Sequence, residues 1–258
     1  EGIGYAAEEV VGKKWTAYRS GRQNTAFYDS IWETVRRTGA WQGEVWNRRK
    51  GRDEYPVWLT LSAVRGNGDV VTHYVGTYID ITQRKAVEDQ LHQLAFYDPL
   101  TQLPNRRLLR DRLGHALAGT ARSQNQGAIM FIDLDNFKTL NDTQGHDVGC
   151  CLLAEAAKRL QSSVRQGDTV ARLGGDEFVI MLEELGADSL AAAQVEGVAQ
   201  KILAALDQPY RLDLHPEPGK HNTLNYQCTA SVGVTLFGAG GANVDEVLKQ
   251  ADLAMYQA

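Results

Sequence analysis

The chain changes its hydrophobic rhythm near residue 82. Before that point apolar and polar residues alternate over short runs: GEVWNRR (43–49), EYPVWLTLSAV (54–64) and VVTHYVGTYIDI (70–81). Alternation at period two marks half-buried strands. GRDE and RGNGD lie between them as turns, so an antiparallel meander is predicted. TAFYDSIWETVRRTG (25–39) is helix-like and stops at Gly39. All five tryptophans fall in this first part, which predicts a small aromatic core.

From Thr82, taken as an N-cap, Val87, Leu91 and Leu94 follow at four-three spacing. Two heptads are marginal alone, so this helix is expected to join domains and pair with its copy in a dimer. The plainer reading is a solvated linker. Beyond it, helices and strands alternate. Pro104 opens a predicted helix with Leu108, Leu109, Leu113, Ala116 and Leu117 on one side. AIMFIDL (128–134) is a continuous apolar run, as expected of a buried central strand. Val148, Leu152, Ala156, Leu160 and Val164 recur every four positions and mark a long amphipathic helix. Val170–Leu173 and Phe178–Leu182 read as strands around Gly174-Gly175, a strong hairpin signal. A helix around 188–206, a half-buried strand over 226–237 and a final helix from Val244 complete the prediction. The fold class is α+β.

Composition narrows the function. The 258 residues leave room for two domains with their own cores. With 43% hydrophobic and 23% charged residues the chain is globular in type. A net charge of −5 argues against a nucleic-acid binder. Cys150, Cys151 and Cys228 form no disulfide framework and no CxxC pair, which points to a reducing cytoplasm. No apolar run reaches the length of a membrane span. An anchor outside this segment stays open.

The chemistry gathers around acids. Asp133 interrupts the apolar strand near its end, Asp135 follows at the same facing, and Asp176 and Glu177 tip the hairpin. An acid in such a strand is costly unless paired or bound to metal. If the strand neighbours the hairpin, Asp133, Asp176 and Glu177 converge. Carboxylates without histidine or cysteine partners suit a hard cation such as Mg²⁺, and Lys138 in the following loop would meet its phosphates. The alternative is a structural network in which these acids pair with Lys138 and Arg172. No Walker phosphate loop is present.

DPLTQLPNRR (98–107), IDLDNFKTLNDTQGHD (132–147), ARLGGDEF (171–178) and ADLAMYQA (251–258), in that order, resemble the GGDEF family of diguanylate cyclases. Residues 1–82, with GYAAEEVVGK, GEVWNRRKGRDEYPVWLTLSAV and a closing DIT, resemble a PAS sensor domain that begins inside its fold. The resemblance implies a PAS-like antiparallel sheet with helices over 1–82, a signalling helix over 83–97, and a GGDEF domain over 98–258. That domain would be a central mixed β-sheet flanked by helices, like nucleotidyl cyclases and polymerase palms. The chain looks like a fragment of a longer protein, for which a downstream EAL phosphodiesterase domain is a common partner.

The resemblance also implies roles. Two GTP molecules in facing half-sites of a homodimer condense to cyclic di-GMP with loss of pyrophosphate. Asp133, Asp176 and the carbonyl of Leu134 would hold Mg²⁺ or Mn²⁺, with Glu177 in support and Lys138 on the phosphates. Gly174 and Gly175 let the backbone pass close to the nucleotide. N–H groups around Asn136 and Phe137 would cradle the terminal phosphates. Asn141 matches the guanine-contacting residue and His146 lies in the matching GH. Where the family carries a guanine-binding aspartate, this chain has Cys150. A thiol is a weak, single-point acceptor, so guanine selectivity is expected to relax toward ATP. Arg165 and Asp168 match the RxxD pair at which product cyclic di-GMP inhibits. Residues 1–82 contain no cysteine for a flavin adduct, and His73 sits on a strand rather than a haem-bearing helix. No PAS ligand is assigned. The rival to a cyclase is a catalytically weak module that binds GTP or cyclic di-GMP and regulates a downstream domain.

Overall fold

The computed structural model describes residues 4–13, 19–51, 53–123, 125–186, 188–213, 223–238 and 243–257. The chain forms two compact units, Glu1–Leu91 and His92–Ala258.

The first unit contains α1 (Ala7–Val10), α2 (Thr25–Thr38), β1 (Ala40–Arg48), β2 (Glu54–Arg65) and β3 (Val71–Asp80). The strands form the expected antiparallel meander in the order β1-β2-β3. Its core differs from expectation. Tyr28, Ile31 and Val35 of α2 pack against Val45, Tyr55, Val57, Leu59 and Leu61 of the sheet. Trp32, Trp41, Trp46 and Trp58 are only half-buried, and Trp15 lies outside the described residues. The indoles sit at the rim, where Trp46 carries the Arg22 guanidinium on its face and Trp32 meets Tyr74 edge-on. Their polar N–H and large area suit a border better than a small interior.

α3 (Thr82–Phe96) follows. Its first N–H is capped by Asp80, which accepts from Thr82 N at 2.9 Å, so Asp80 replaces Thr82 in the capping role. Val87, Leu91 and Leu94 are exposed along it.

The second unit continues with α4 (Arg106–Ser123), β4 (Gln126–Leu134), α5 (Phe137–Gln144), α6 (His146–Ser163), β5 (Thr169–Gly174) and β6 (Glu177–Leu185). Then come α7 (Asp188–Leu206), β7 (Tyr210–Asp213), β8 (Thr223–Tyr226), β9 (Ala230–Phe237) and α8 (Val244–Tyr256). The main sheet has the order β5-β6-β4-β9, and β7 pairs with β8 separately. Every ladder of the main sheet is antiparallel, a correction to the mixed sheet expected, because β6 and β9 both run counter to the central β4.

Period-two alternation explains how β4 is buried on both faces. Ala128, Met130, Ile132 and Leu134 enter a core with α6 and α7, while Ile129 and Phe131 enter a second core with α4 and α8. In β6, Phe178, Ile180 and Leu182 join the first core and Val179 and Met181 the second. Each fully buried Val, Leu, Ile, Phe or Met side chain among these contributes about 1.5–3 kcal/mol.

Three boundaries move from their predicted places. Pro104 lies before α4, whose first turn is capped by Asn105 Oδ1 accepting from Arg107 N and Leu108 N. Lys138 lies in α5 rather than a loop, because Phe137 and Leu140 give that short helix a buried side. The run 226–237 is broken: Tyr226 ends β8, and β9 starts only at Ala230.

Candidate active site

The acid-tipped hairpin forms as its glycines demand. Gly174 has φ +145° and Gly175 φ +53°, backbone states that residues with a β-carbon rarely adopt. The turn places Asp176 between β5 and β6, and Glu177 opens β6 directly opposite Asp133 of β4. On its other side Asp133 faces Ser231 of β9. The sheet therefore brings Asp133, Asp176 and Glu177 to one edge.

Burial pushes the Asp133 carboxyl up to about 6, and the charges of Asp176, Glu177 and Asp135 push the same way. Among the described residues neither Asp133 nor Asp176 has a cationic partner, and Glu177 has only Arg106 at 3.8 Å. The structural-network alternative is not what the chain builds. Arg172 turns instead to Asp98, and Lys138 is exposed and pairs with no carboxylate among the described residues.

An acidic cluster short of positive charge, offering only oxygen, fits a hard divalent cation. Among the described residues no three His, Cys, Asp or Glu side chains form a group that could hold a metal ion by themselves. A cation at this edge would therefore take one or two carboxylates and draw its other oxygen ligands from outside the side chains. The Leu134 side chain is buried in the core, so what it can offer is its carbonyl.

Asp135 has a different task. Its oxygens accept from Thr229 Oγ1 at 2.5 Å and Ser231 Oγ at 2.9 Å, and its N–H donates to Thr229 O. Buried Cys228 donates to the Asp135 and Thr229 carbonyls, with its thiol pushed up to about 11 by burial and then by the nearby acids. This clasp explains why β9 starts late.

Just past β4, Asn136 adopts a left-handed conformation (φ 59°, ψ 19°) and caps α5 without a side-chain bond. The first-turn N–H groups of α5 are thus free of a side-chain cap, with Lys138 exposed beside them. One turn on, Asn141 Oδ1 is buried and unpartnered. It lies against Gly149 of α6: a β-carbon there would stand 2.0 Å from it. Cys150 comes next and is exposed, as is His146 at the start of α6. Asn141 and the segment bearing Cys150 thus meet where α5 packs on α6.

The RxxD pair is remote from this edge, in the turn between α6 and β5 at the far end of the hairpin. Arg165 Nε and N both donate to Asp168 at 3.2 Å, and Arg165 Nη2 donates to the Glu183 carbonyl. Two open grooves, about 480 and 300 Å³, share Arg165 and Asp168 as lining.

Sequence reasoning missed Asp98 and Arg106. Asp98 accepts from Thr101 N and Oγ1 and receives Arg172 Nη1 on both oxygens at 3.0 Å. Burial opposes its charge, yet the bonds from Thr101 and Arg172 hold its carboxyl below the usual range. The Asp-x-x-Thr spacing is a local turn signal; its partner 74 residues away carries none.

The profile of the family described as "Diguanylate cyclase, GGDEF domain" matches residues 95–258, and a PAS domain profile matches residues 1–83. The bifunctional diguanylate cyclase/cyclic di-GMP phosphodiesterase MucR of Pseudomonas aeruginosa is 40% identical over 66% of this chain and 23% of its own length. The diguanylate cyclase TpbB of the same species is 38% identical over 64% of this chain and 35% of its own. The chain spans about a quarter to a third of these curated relatives. Among solved structures, the GGDEF domain of DgcB from Caulobacter crescentus in complex with c-di-GMP is 26% identical, with a TM-score of 0.54 over 63% of this chain and 89% of that one. Among the described residues no helix is long and apolar enough to cross a membrane.

Proposed function

The chain belongs to the GGDEF diguanylate cyclase family, with a PAS domain ahead of it, and from that premise we propose that it condenses two GTP to cyclic di-GMP. The observation that carries the proposal is the uncompensated acid edge: Asp133 opposite Glu177, beside Asp176, with Lys138 in the helix after β4 exposed and without a carboxylate partner among the described residues. In each half-site a ribose 3′-hydroxyl gives up its proton to solvent as its oxygen bonds to the α-phosphorus of the other GTP, the α–β bridging P–O bond breaks, and pyrophosphate leaves. Two such steps close the ring.

Asp133, Asp176 and the Leu134 carbonyl would hold Mg²⁺ or Mn²⁺, which supplies charge neutralisation and activates the attacking hydroxyl. Glu177 supports that set. Lys138 and the uncapped N–H groups at Asn136 and Phe137 bind the outer phosphates, where the start of α5 favours negative charge. Gly174 and Gly175 leave the nucleotide room. Asn141 and His146 address the base, and Cys150 offers guanine a weaker edge than an acid, so ATP competes better. Facing half-sites require a homodimer, for which the exposed Val87, Leu91 and Leu94 stripe of α3 supplies a seam. Arg165 and Asp168 bind the product as an inhibitor. The enzyme works in the cytoplasm under PAS control, and an EAL-type partner domain accords with MucR, a bifunctional relative.

The second reading, a weak cyclase that binds GTP or cyclic di-GMP to regulate a neighbour, rests on Cys150 alone. Incubation with labelled GTP and Mg²⁺, followed by chromatography of the products, tests the choice. Cyclic di-GMP is expected; bound but unconverted GTP would favour the second reading.

A further inference from the structure

We propose that Arg172 is a positioning residue for the carboxylate of Asp176, and that Asp98 holds Arg172 in place to do so. The proposal rests on the cyclase reading above. Arg172 Nη1 donates to both Asp98 oxygens at 3.0 Å. Its Nε and Nη2 donate to the Gly175 carbonyl at 3.0 and 2.6 Å. Gly175 immediately precedes Asp176. Because the peptide unit is planar, a fixed Gly175 carbonyl also fixes the N–H and Cα of Asp176.

The turn needs such a hold. Asp133 is fixed by ladders on both sides, whereas Asp176 follows two glycines, the residues with the most backbone freedom. Mg²⁺ demands near-ideal octahedral geometry, so a wandering ligand forfeits much of its binding. A guanidinium anchored on a strand removes that freedom. Its planar fork serves a carboxylate and a carbonyl together, which an ammonium does not do.

Asp98 is well placed as the anchor. The pair's side chains are only 11% and 16% exposed, so Arg172 requires a compensating charge at that spot. The same segment grips the hairpin twice more: Pro104 O accepts from Arg172 N at 2.9 Å, and Arg106 approaches Glu177 at 3.8 Å. The segment is itself tied to the last turn of α3, since Asn105 donates through N to Phe96 O and through Nδ2 to Ala95 O. Residues 98–106 thus form a bracket between the end of α3 and the acid turn. A shift of that last turn reaches Asp176 through Asn105, Asp98 and Arg172.

The test compares Arg172→Lys and Asp98→Asn with the parent 258-residue chain. The readouts are the Mg²⁺ dependence of GTP turnover, amide exchange over 173–178, Mn²⁺ binding by electron paramagnetic resonance, and melting temperature. Lysine keeps a cation for Asp98 but cannot also hold Gly175. Arg172→Lys is therefore expected to lower kcat about tenfold and raise the Mg²⁺ requirement similarly, with KM for GTP within about twofold. In Arg172→Lys exchange at 175–177 speeds up while the melting temperature holds; Asp98→Asn shows a weaker local change together with a lower melting temperature, because it strands the Arg172 charge. Unchanged exchange and metal binding in Arg172→Lys overturn the proposal, as do losses that merely follow the melting temperature in both variants. If the parent binds GTP without turnover, the cyclase reading falls, while exchange and Mn²⁺ binding still decide whether Arg172 positions Asp176.

Discussion

Asp98 and Asp133 belong to the same unit and both lose water on folding, yet they end in opposite electrostatic states. Asp98 collects Thr101 and Arg172, and its carboxyl stays below the usual range despite burial. Among the described residues Asp133 has no cationic partner and three acids around it, and its carboxyl is pushed up by burial to about 6. The first is an acid spent on structure. The second has the unpartnered, charge-opposed surroundings of a candidate functional group. Asp135, two residues on, belongs with Asp98, since Thr229 and Ser231 fill its oxygens. Which partners an acid has, rather than its place in a motif, separates the two kinds.

The strongest way to break this contrast is Asp133→Asn. Turnover is expected to fall by on the order of a thousandfold or more, since the cation loses its fixed ligand. Metal-free, the same variant is expected to melt higher above pH 6. The sign follows from proton binding: the folded Asp133 carboxyl titrates near 6 against an ordinary 3.8, so between those values the folded state holds the extra proton. Stability of the metal-free parent therefore falls as pH rises from about 4 to 6, and asparagine abolishes that slope. Scanning calorimetry across this window, with chelator present, checks it. A variant that melts lower at pH 7 would place Asp133 with Asp98.

Asp98→Ala is the mirror test. It strands the largely buried Arg172 charge and should cost about 3 kcal/mol, read from denaturant unfolding. A loss within about 0.5 kcal/mol, the range of ordinary surface substitutions, would erase the distinction.

Smaller effects sharpen the picture at the base. Cys150→Asp is expected to tighten GTP by about 1–3 kcal/mol and to shift a GTP/ATP competition toward guanine products. Equal product ratios in both proteins would mean that Cys150 does not read the base. Smallest is Arg165→Ala, which should weaken cyclic di-GMP by about 1 kcal/mol in calorimetry, because Arg165 already spends donors on Asp168 and the Glu183 carbonyl. Equal affinity would make RQGD a turn and nothing more.

Periodicity made the long elements legible. β4 and β6 are continuous apolar runs because both faces are covered, and α6 repeats every four residues because one side is. The glycine pair announced the hairpin. What stayed hidden depends on pairing across the chain. α5 is only eight residues long and rich in Asn, Thr and Asp, so its helical side rests on Phe137 and Leu140 alone. The alternation over 226–237 looked continuous, but the Asp135 clasp on Thr229 and Ser231 interrupts it. Tryptophan content suggested an aromatic core where aliphatic residues and two tyrosines fill the space. The acids of the site were visible as acids. That Arg172 serves Asp98 and the turn, and not the cluster, depends on a contact between positions 74 residues apart.

Gly149 and Cys150 are neighbours on α6 with opposite mutational freedom. At 149 even a methyl group would strike the Asn141 side chain, so that position can change only by displacing Asn141, the residue proposed to address the base. At 150 the side chain is exposed and no packing holds its identity. Under the base-reading role proposed for Cys150, nucleotide preference would drift by single substitutions at one position while the frame that presents it stays locked by the next. A change of product would then lie one substitution away, at little cost to the fold.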